Sequence, residues 1–307
     1  VRPPQPAVAE NPAPRVEAPE SASVEPDAER RVEPTPNLPA QPLTPDILFK
    51  FLVAEVAGQR GATGIASAAY LDLAQETRDP RIARRAAEVA MFARDREAAL
   101  EATRLWSVAD PASERARQTL AAMLLNEGRL DEAEPVLREV LASDPAAGFM
   151  HLSALLGKVR DASAARALVE RLAAAHSQVA EGRYAVAQAA ANAGDMPAAL
   201  AALEKANRLR PGWEPGALLR AQILARTSPA DALAFMRDFL AAYPEARDVR
   251  LAYARALVNA NQFAEGRAQF ERLAGELPRN AEVSFAAGLL ALQMGEPIAA
   301  RDWLNRA

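Results

Sequence analysis

His151 and His176 are the first residues to weigh for metal or acid–base chemistry in this chain. They stand 25 residues apart, and the 307-residue sequence contains no cysteine to complete a ligand set. Zinc needs four donors converging on one point, so this pair suggests no metal site. The lack of cysteine also excludes disulfides and thiolate nucleophiles. No G-x-x-x-x-G-K-[ST] phosphate loop, no G-x-G-x-x-G after a strand and no G-x-S-x-G elbow occurs. Acidic pairs such as Asp131-Glu132 fall where helices are expected to begin, a position that favours negative charge without any catalytic role. No catalytic residue and no cofactor is expected.

Composition points the same way. The chain carries 36 basic and 40 acidic residues, a net charge of −4, and no field of one sign that would attract nucleic acid. Half the residues are hydrophobic but only 5% are aromatic, so a core must be built mostly from Ala, Leu and Val. Long Ala-rich segments with few glycines read as helix. No apolar run reaches the roughly 18 residues needed to span a bilayer.

The organisation of those helices is set by a repeat. Pro80, Pro111, Pro145, Pro211, Pro244 and Pro278 are spaced by 31, 34, 66, 33 and 34 residues, the 66 being two periods with one proline lost near Gln178. A period close to 34 is the mark of tetratricopeptide (TPR) helical hairpins. The predicted fold is all-α: a TPR solenoid of about eight hairpins over residues 43–307. With each proline at position 32, small residues recur at positions 8 and 20, as in Ala121/Ala133 and Ala187/Ala199. Those positions should face each other where the two helices of a hairpin cross. Gly128 and Gly194 should supply the positive φ between helices, and each proline should stop a second helix. The sixth repeat departs from the pattern with Arg220 at position 8, and the fourth, around 147–178, is degenerate. His151 and His176 should lie on opposite helices of that fourth hairpin.

In such arrays the first helix of each repeat lines a groove. The expected groove residues are Arg84, Gln118, Asn126, His151, Tyr184, Gln188, Asn192, Arg255, Asn259 and Phe285. Their mixture of amide, Arg and aromatic groups suits an extended peptide or a partner helix. Asn126, Asn192 and Asn259 recur at position 13, as a backbone-binding ladder or as capping chemistry. The Lys/Asn clamp for chaperone carboxylates is absent.

The two ends differ from the array. Residues 1–42 hold 11 of the 23 prolines, a single leucine and no aromatic residue, the composition of a disordered, extended tether. Thr44-Pro45 reads as a helix start, followed by the apolar stripe Ile47, Leu48, Phe51, Leu52 and Val56. That stripe either packs on the next helix as a cap or stays partly open as a docking surface. The last repeat reaches Ala307 inside its second helix, an array truncated before its cap, with Trp303 and Leu304 expected to be partly exposed.

The segments 43–61 (LTPDILFKFLVAEVAGQRG), 77–106 and 249–278, with the Pro-rich leader, resemble TPR outer-membrane lipoproteins of Gram-negative bacteria. They look most like the adaptor of a periplasmic carboxyl-terminal processing protease. The resemblance implies a non-catalytic scaffold in the periplasm, lipid-anchored upstream of Val1. Its partners would be that protease and the cell-wall hydrolases presented to it. A structural module of an envelope assembly, for polysaccharide export or cell-wall synthesis, is the alternative.

Overall fold

The computed structural model describes residues 38–307, so the expected tether lies outside the described residues as far as residue 37. The described residues belong to one compact unit. Among the described residues all regular structure is helical, in sixteen helices. The first four hairpins are α1 (Pro45–Gln59) with α2 (Thr63–Thr77), α3 (Pro80–Ala93) with α4 (Arg96–Ala109), α5 (Glu114–Asn126) with α6 (Leu130–Ser143), and α7 (Pro145–Leu156) with α8 (Ala162–Ala174). The next four are α9 (Ala180–Asn192) with α10 (Met196–Leu209), α11 (Glu214–Thr227) with α12 (Pro229–Ala242), α13 (Arg247–Asn259) with α14 (Phe263–Glu276), and α15 (Ala281–Gln293) with α16 (Pro297–Leu304). The fold is the expected solenoid of eight hairpins.

Short polar caps start many of these helices. Ser113 Oγ accepts from the Ala116 amide at 3.2 Å, Asp195 Oδ1 from Ala198 at 3.0 Å and Asn280 Oδ1 from Val283 at 3.0 Å. Each satisfies an amide that the helix itself leaves unpaired. Gly128 and Gly194 take positive φ in their turns, as read from the sequence, and Gly295, Arg94 and Asn261 do the same in theirs. The prolines serve in two ways rather than one. Pro111, Pro211, Pro244 and Pro278 lie beyond the ends of second helices, but Pro80 and Pro145 are the first residues of α3 and α7. A missing N–H costs nothing at that position, so those two open the next helix instead of closing the last.

The small residues sit at the helix crossings. Ala87, Ala121, Ala187 and Ala254 are buried in first helices and Ala99, Ala133, Ala199 and Gly266 in second helices; Ala121 packs in one cluster with Ala133, and Ala187 with Ala199. A Cβ added to Gly266 would lie 3.4 Å from the Ala254 carbonyl and 3.1 Å from Val258. In the last hairpin Gly288 lies under Leu304, close to the Ala300 carbonyl. Trp303 and Leu304 are both half-buried there.

Two departures from the sequence reading have one cause, the length of the turn inside the hairpin. In the sixth hairpin the first residues of α11 and α12 are 15 apart, against 16 in the third, fifth, seventh and eighth. That one-residue deletion moves the register, and the residue at the crossing is the buried Ala221, not Arg220. In the fourth hairpin the spacing is 17 and the crossing residue is Leu152, fully buried. A leucine there cannot be overridden by two approaching backbones. The α7 and α8 backbones accordingly stand apart, and α7 lies instead against α9. Gly182 of α9 permits this: its missing Cβ would come within 3.2 Å of the Phe149 ring. Leu152, Leu156, Leu168, Val169 and Leu172 fill the widened space. His176 is displaced too, into the turn after α8, where its ring meets Phe149 edge-on at 5.6 Å.

Candidate interaction surfaces

The helix α1 is built as the sequence suggested. Thr44 Oγ1 accepts from the Ile47 amide at 3.2 Å, and Pro45 occupies the first turn. Lys50 fastens the helix to α2 through Glu76 at 2.7 Å and Asp72 at 3.0 Å, with Asp46 at 3.2 Å on its own helix. The hydrogen bond to Glu76, then those to Asp72 and Asp46, raise the Lys50 ammonium above its ordinary pKa. Glu55 accepts from the Tyr70 hydroxyl, and the Phe51 ring meets Tyr70 edge-on at 6.4 Å.

Only Ala54 and Ala57 of α1 are fully buried. Ile47 is half-buried, while Leu48, Phe51, Leu52 and Val56 are exposed. Phe49, which the stripe reading passed over, is 65% exposed and is the most open apolar side chain on the helix. It sits between two counted positions, so a count along one stripe misses it. The result is a largely apolar helix with water on more than one side. Scattered exposed leucines are ordinary, but five large apolar residues on one helix form a patch.

The expected groove residues fall into three groups. Several are tied up by neighbours. Arg84 bonds Glu88 at 3.0 Å and lies over the Trp106 ring at 5.8 Å. The Gln118 amide donates to Glu114 at 2.8 Å, and that of Gln188 to Asn192 at 3.2 Å. Arg255 pairs with Glu282 of the next hairpin. Two are drawn inward: Tyr184 packs edge-on against Trp213 at 5.4 Å, where burial raises its phenol pKa. The His151 Nε2 is shut off from solvent without a hydrogen-bond partner.

The third group is open. Asn126, Asn192 and Asn259 are exposed, Asn192 while accepting from Gln188, and are the last residues of α5, α9 and α13. The left-handed residues that follow these helices are Gly128, Gly194 and Asn261, so none of the three asparagines supplies that turn conformation. Phe285 is exposed together with Leu289 and Leu292, at i, i+4 and i+7 along α15. They lie on one face of α15 at helical spacing, and counting on from Phe285 would have named all three. Met91 and Phe92 are likewise open at the end of α3.

Among the described residues no group of three His, Asp or Glu side chains is placed to hold a metal ion. No helix among them is long and apolar enough to cross a membrane. Residues 224–284, from α11 into α15, match the tetratricopeptide-repeat family. The array is built of tetratricopeptide repeats. Stacked hairpins of this kind serve as protein–protein interaction scaffolds. A TPR repeat-containing protein of Pseudomonas aeruginosa is 30% identical over 212 residues, 68% of this chain. The matched region spans 36% of the length of that relative. Among solved structures, a thermophilic TPR protein of Thermus thermophilus is 20% identical, with a TM-score of 0.42, covering 59% of this chain and 100% of its own. YrrB, a TPR protein with an unusual peptide-binding site, is 17% identical with a TM-score of 0.37, covering 55% of this chain and 89% of its own.

Proposed function

We propose that this TPR array is a non-catalytic adaptor of the bacterial envelope. In this reading residues 1–42 form a tether and 43–307 the folded scaffold. The full-length protein is held at the outer membrane by a lipid anchor and works in the periplasm. The α1 face, with Leu48, Phe51 and Leu52 at its surface and Ile47 beneath, docks a periplasmic carboxyl-terminal processing protease. The groove side of the hairpins holds cell-wall hydrolases as its substrates. Bringing two weak binders onto one scaffold raises their local concentration to about the millimolar range, with no catalytic group needed.

The observation that carries this reading is the open apolar surface of α1, five large side chains that the described residues leave exposed. A surface of that kind is favourable to cover, and burial of its rings would supply the anchor residues typical of interfaces. The test is capture from an envelope extract with the wild type and with the double variant Phe51→Asp, Leu52→Asp. Recovery of a carboxyl-terminal processing protease by the wild type alone supports the assignment. Equal recovery by a double variant of unchanged helicity refutes the docking face.

A further inference from the structure

The sixth hairpin contains a cavity of about 60 Å³ between α10, α11 and α12. Four rings wall it: Trp213, Phe235, Phe239 and Tyr243. Phe239 packs on Tyr243 at 4.9 Å and on Phe235 at 6.0 Å between ring centres. Two glycines let the walls close in. Gly212 has φ +75°, and a Cβ there would strike the Tyr243 ring at 2.8 Å. A Cβ on Gly216 would press on Trp213 at 3.3 Å.

The polar groups of the cavity are Asn207, Arg210 and Arg220, and no carboxylate lines it. Arg210 lies over Trp213 at 5.2 Å and gives one nitrogen to Glu181 at 2.7 Å. Arg220 is different. Its guanidinium stacks over Phe235 at 4.8 Å, and its Nε is shut off from solvent with no hydrogen-bond partner. Among the described residues no acid lies within ion-pairing distance of it, whereas Arg166, Arg171, Arg210 and Arg267 each pair with an acid outside their own helix. Arg220 is half-buried, and its Nε is a closed-off donor without an acceptor, whereas buried donors in folded proteins ordinarily find one.

We infer that this cavity is a binding site for a carboxylate carried on a small aromatic or apolar group. The Arg220 fork matches the two oxygens of a carboxylate, and its stacking on Phe235 leaves the guanidinium edge as the donor surface. The Asn207 amide and the second cation, Arg210, stand at the same cavity. The rings accept the apolar body of the ligand. The space is about that of two water molecules, enough for the carboxylate group, so the apolar body lies against the ring edges at the opening. Both a free aromatic acid and the C-terminal residue of a protein carry this chemistry. Trp213 is also the ring on which Tyr184 rests, so an occupant of the cavity bears on the neighbouring hairpin.

The test is calorimetric titration of the full chain at low ionic strength. The probes are benzoate and benzamide, and an N-acetylated Ala-Phe dipeptide with a free or an amidated C-terminus. Saturable binding of a carboxylate, at least tenfold tighter than its amide, supports the site. The better carboxylate of the two identifies the source, small acid or chain terminus. Arg220→Gln should abolish binding. Asn207→Asp places a like charge at an exposed position of the lining, leaves the fold intact and should weaken binding at least tenfold. Equal affinity for acid and amide, no saturable binding of either carboxylate, or undiminished binding by the folded Asn207→Asp variant overturns the inference.

Discussion

Replacing Leu152 by Ala would give the fourth hairpin the crossing residue used by its neighbours, yet it should destabilise the array. Leu152 is 0% exposed. Removing three buried carbons costs about 2.4 kcal/mol at about 0.8 kcal/mol each. A residual cavity of about 50 Å³ at about 24 cal/mol per Å³ adds roughly 1 kcal/mol, a total of about 3 to 4 kcal/mol. The cavity term stays because α7 cannot slide back onto α8. Phe149 holds it against Gly182 of α9, and Gly148 is seated on Leu141, where a Cβ would lie 2.9 Å from Cδ2. Arrays unfold by neighbouring units rather than all at once, so a single midpoint is a poor measure. Hydrogen exchange is the assay: amides of α7, α8 and α9 should lose protection by that amount, while α1 to α4 change little. Ala121→Leu in the third hairpin is the reverse experiment and should cost about 1–3 kcal/mol by overpacking. If Leu152→Ala were neutral or stabilising, the hairpin would have closed to the ordinary crossing. The account of Leu152 as the spacer between α7 and α8 would then be wrong.

Other outcomes follow from single residues. Arg94 holds φ +60° in an exposed turn, so Arg94→Gly should raise stability by about 0.5–1 kcal/mol in denaturant titration, whereas Gly128→Ala, at φ +75°, should lower it by a similar amount. Asp79 caps α3 through the Arg81 amide at 2.8 Å, and its side-chain bonds to the Arg81 guanidinium hold the carboxyl below its ordinary pKa. Because the folded value is the lower one, its stabilisation is complete above the unfolded pKa of about 3.9 and is lost as pH falls through the folded value. Melting temperatures of wild type and Asp79→Asn should therefore differ at neutral pH and converge in acid; a constant gap would rule out the ionic contribution. Phe51→Asp with Leu52→Asp should leave helicity unchanged by circular dichroism, at a cost near the 0.5–1.5 kcal/mol of the Phe51–Tyr70 edge contact.

Much of the candidate site was legible before the structure. Thr44, Pro45 and the α1 stripe were readable because capping and helical spacing are local, set within one or two turns. Phe49 was missed because its exposure depends on how α1 rotates onto α2, which Lys50 helps fix through Asp72 and Glu76 of that second helix. The groove residues were named from position alone, and position says nothing about neighbours. Arg84 and Arg255 turned out to be engaged, while Leu289 and Leu292 lay open beside Phe285.

The sequence by itself determined the repeat, the helices and the alternation of small residues at their crossings, because each hairpin packs only on its neighbours and repeats its own chemistry. Tertiary structure alone decided the exceptions. A spacing from the start of α11 to the start of α12 that is shorter by one residue brought Ala221 to the crossing and left Arg220 facing the rings of the cavity. A start-to-start spacing from α7 to α8 that is longer by one residue, with Leu152 at the crossing, sent α7 to α9. A period counted along the chain assumes constant turn length. Packing obeys volume and contact, and it resets the register wherever the turn differs.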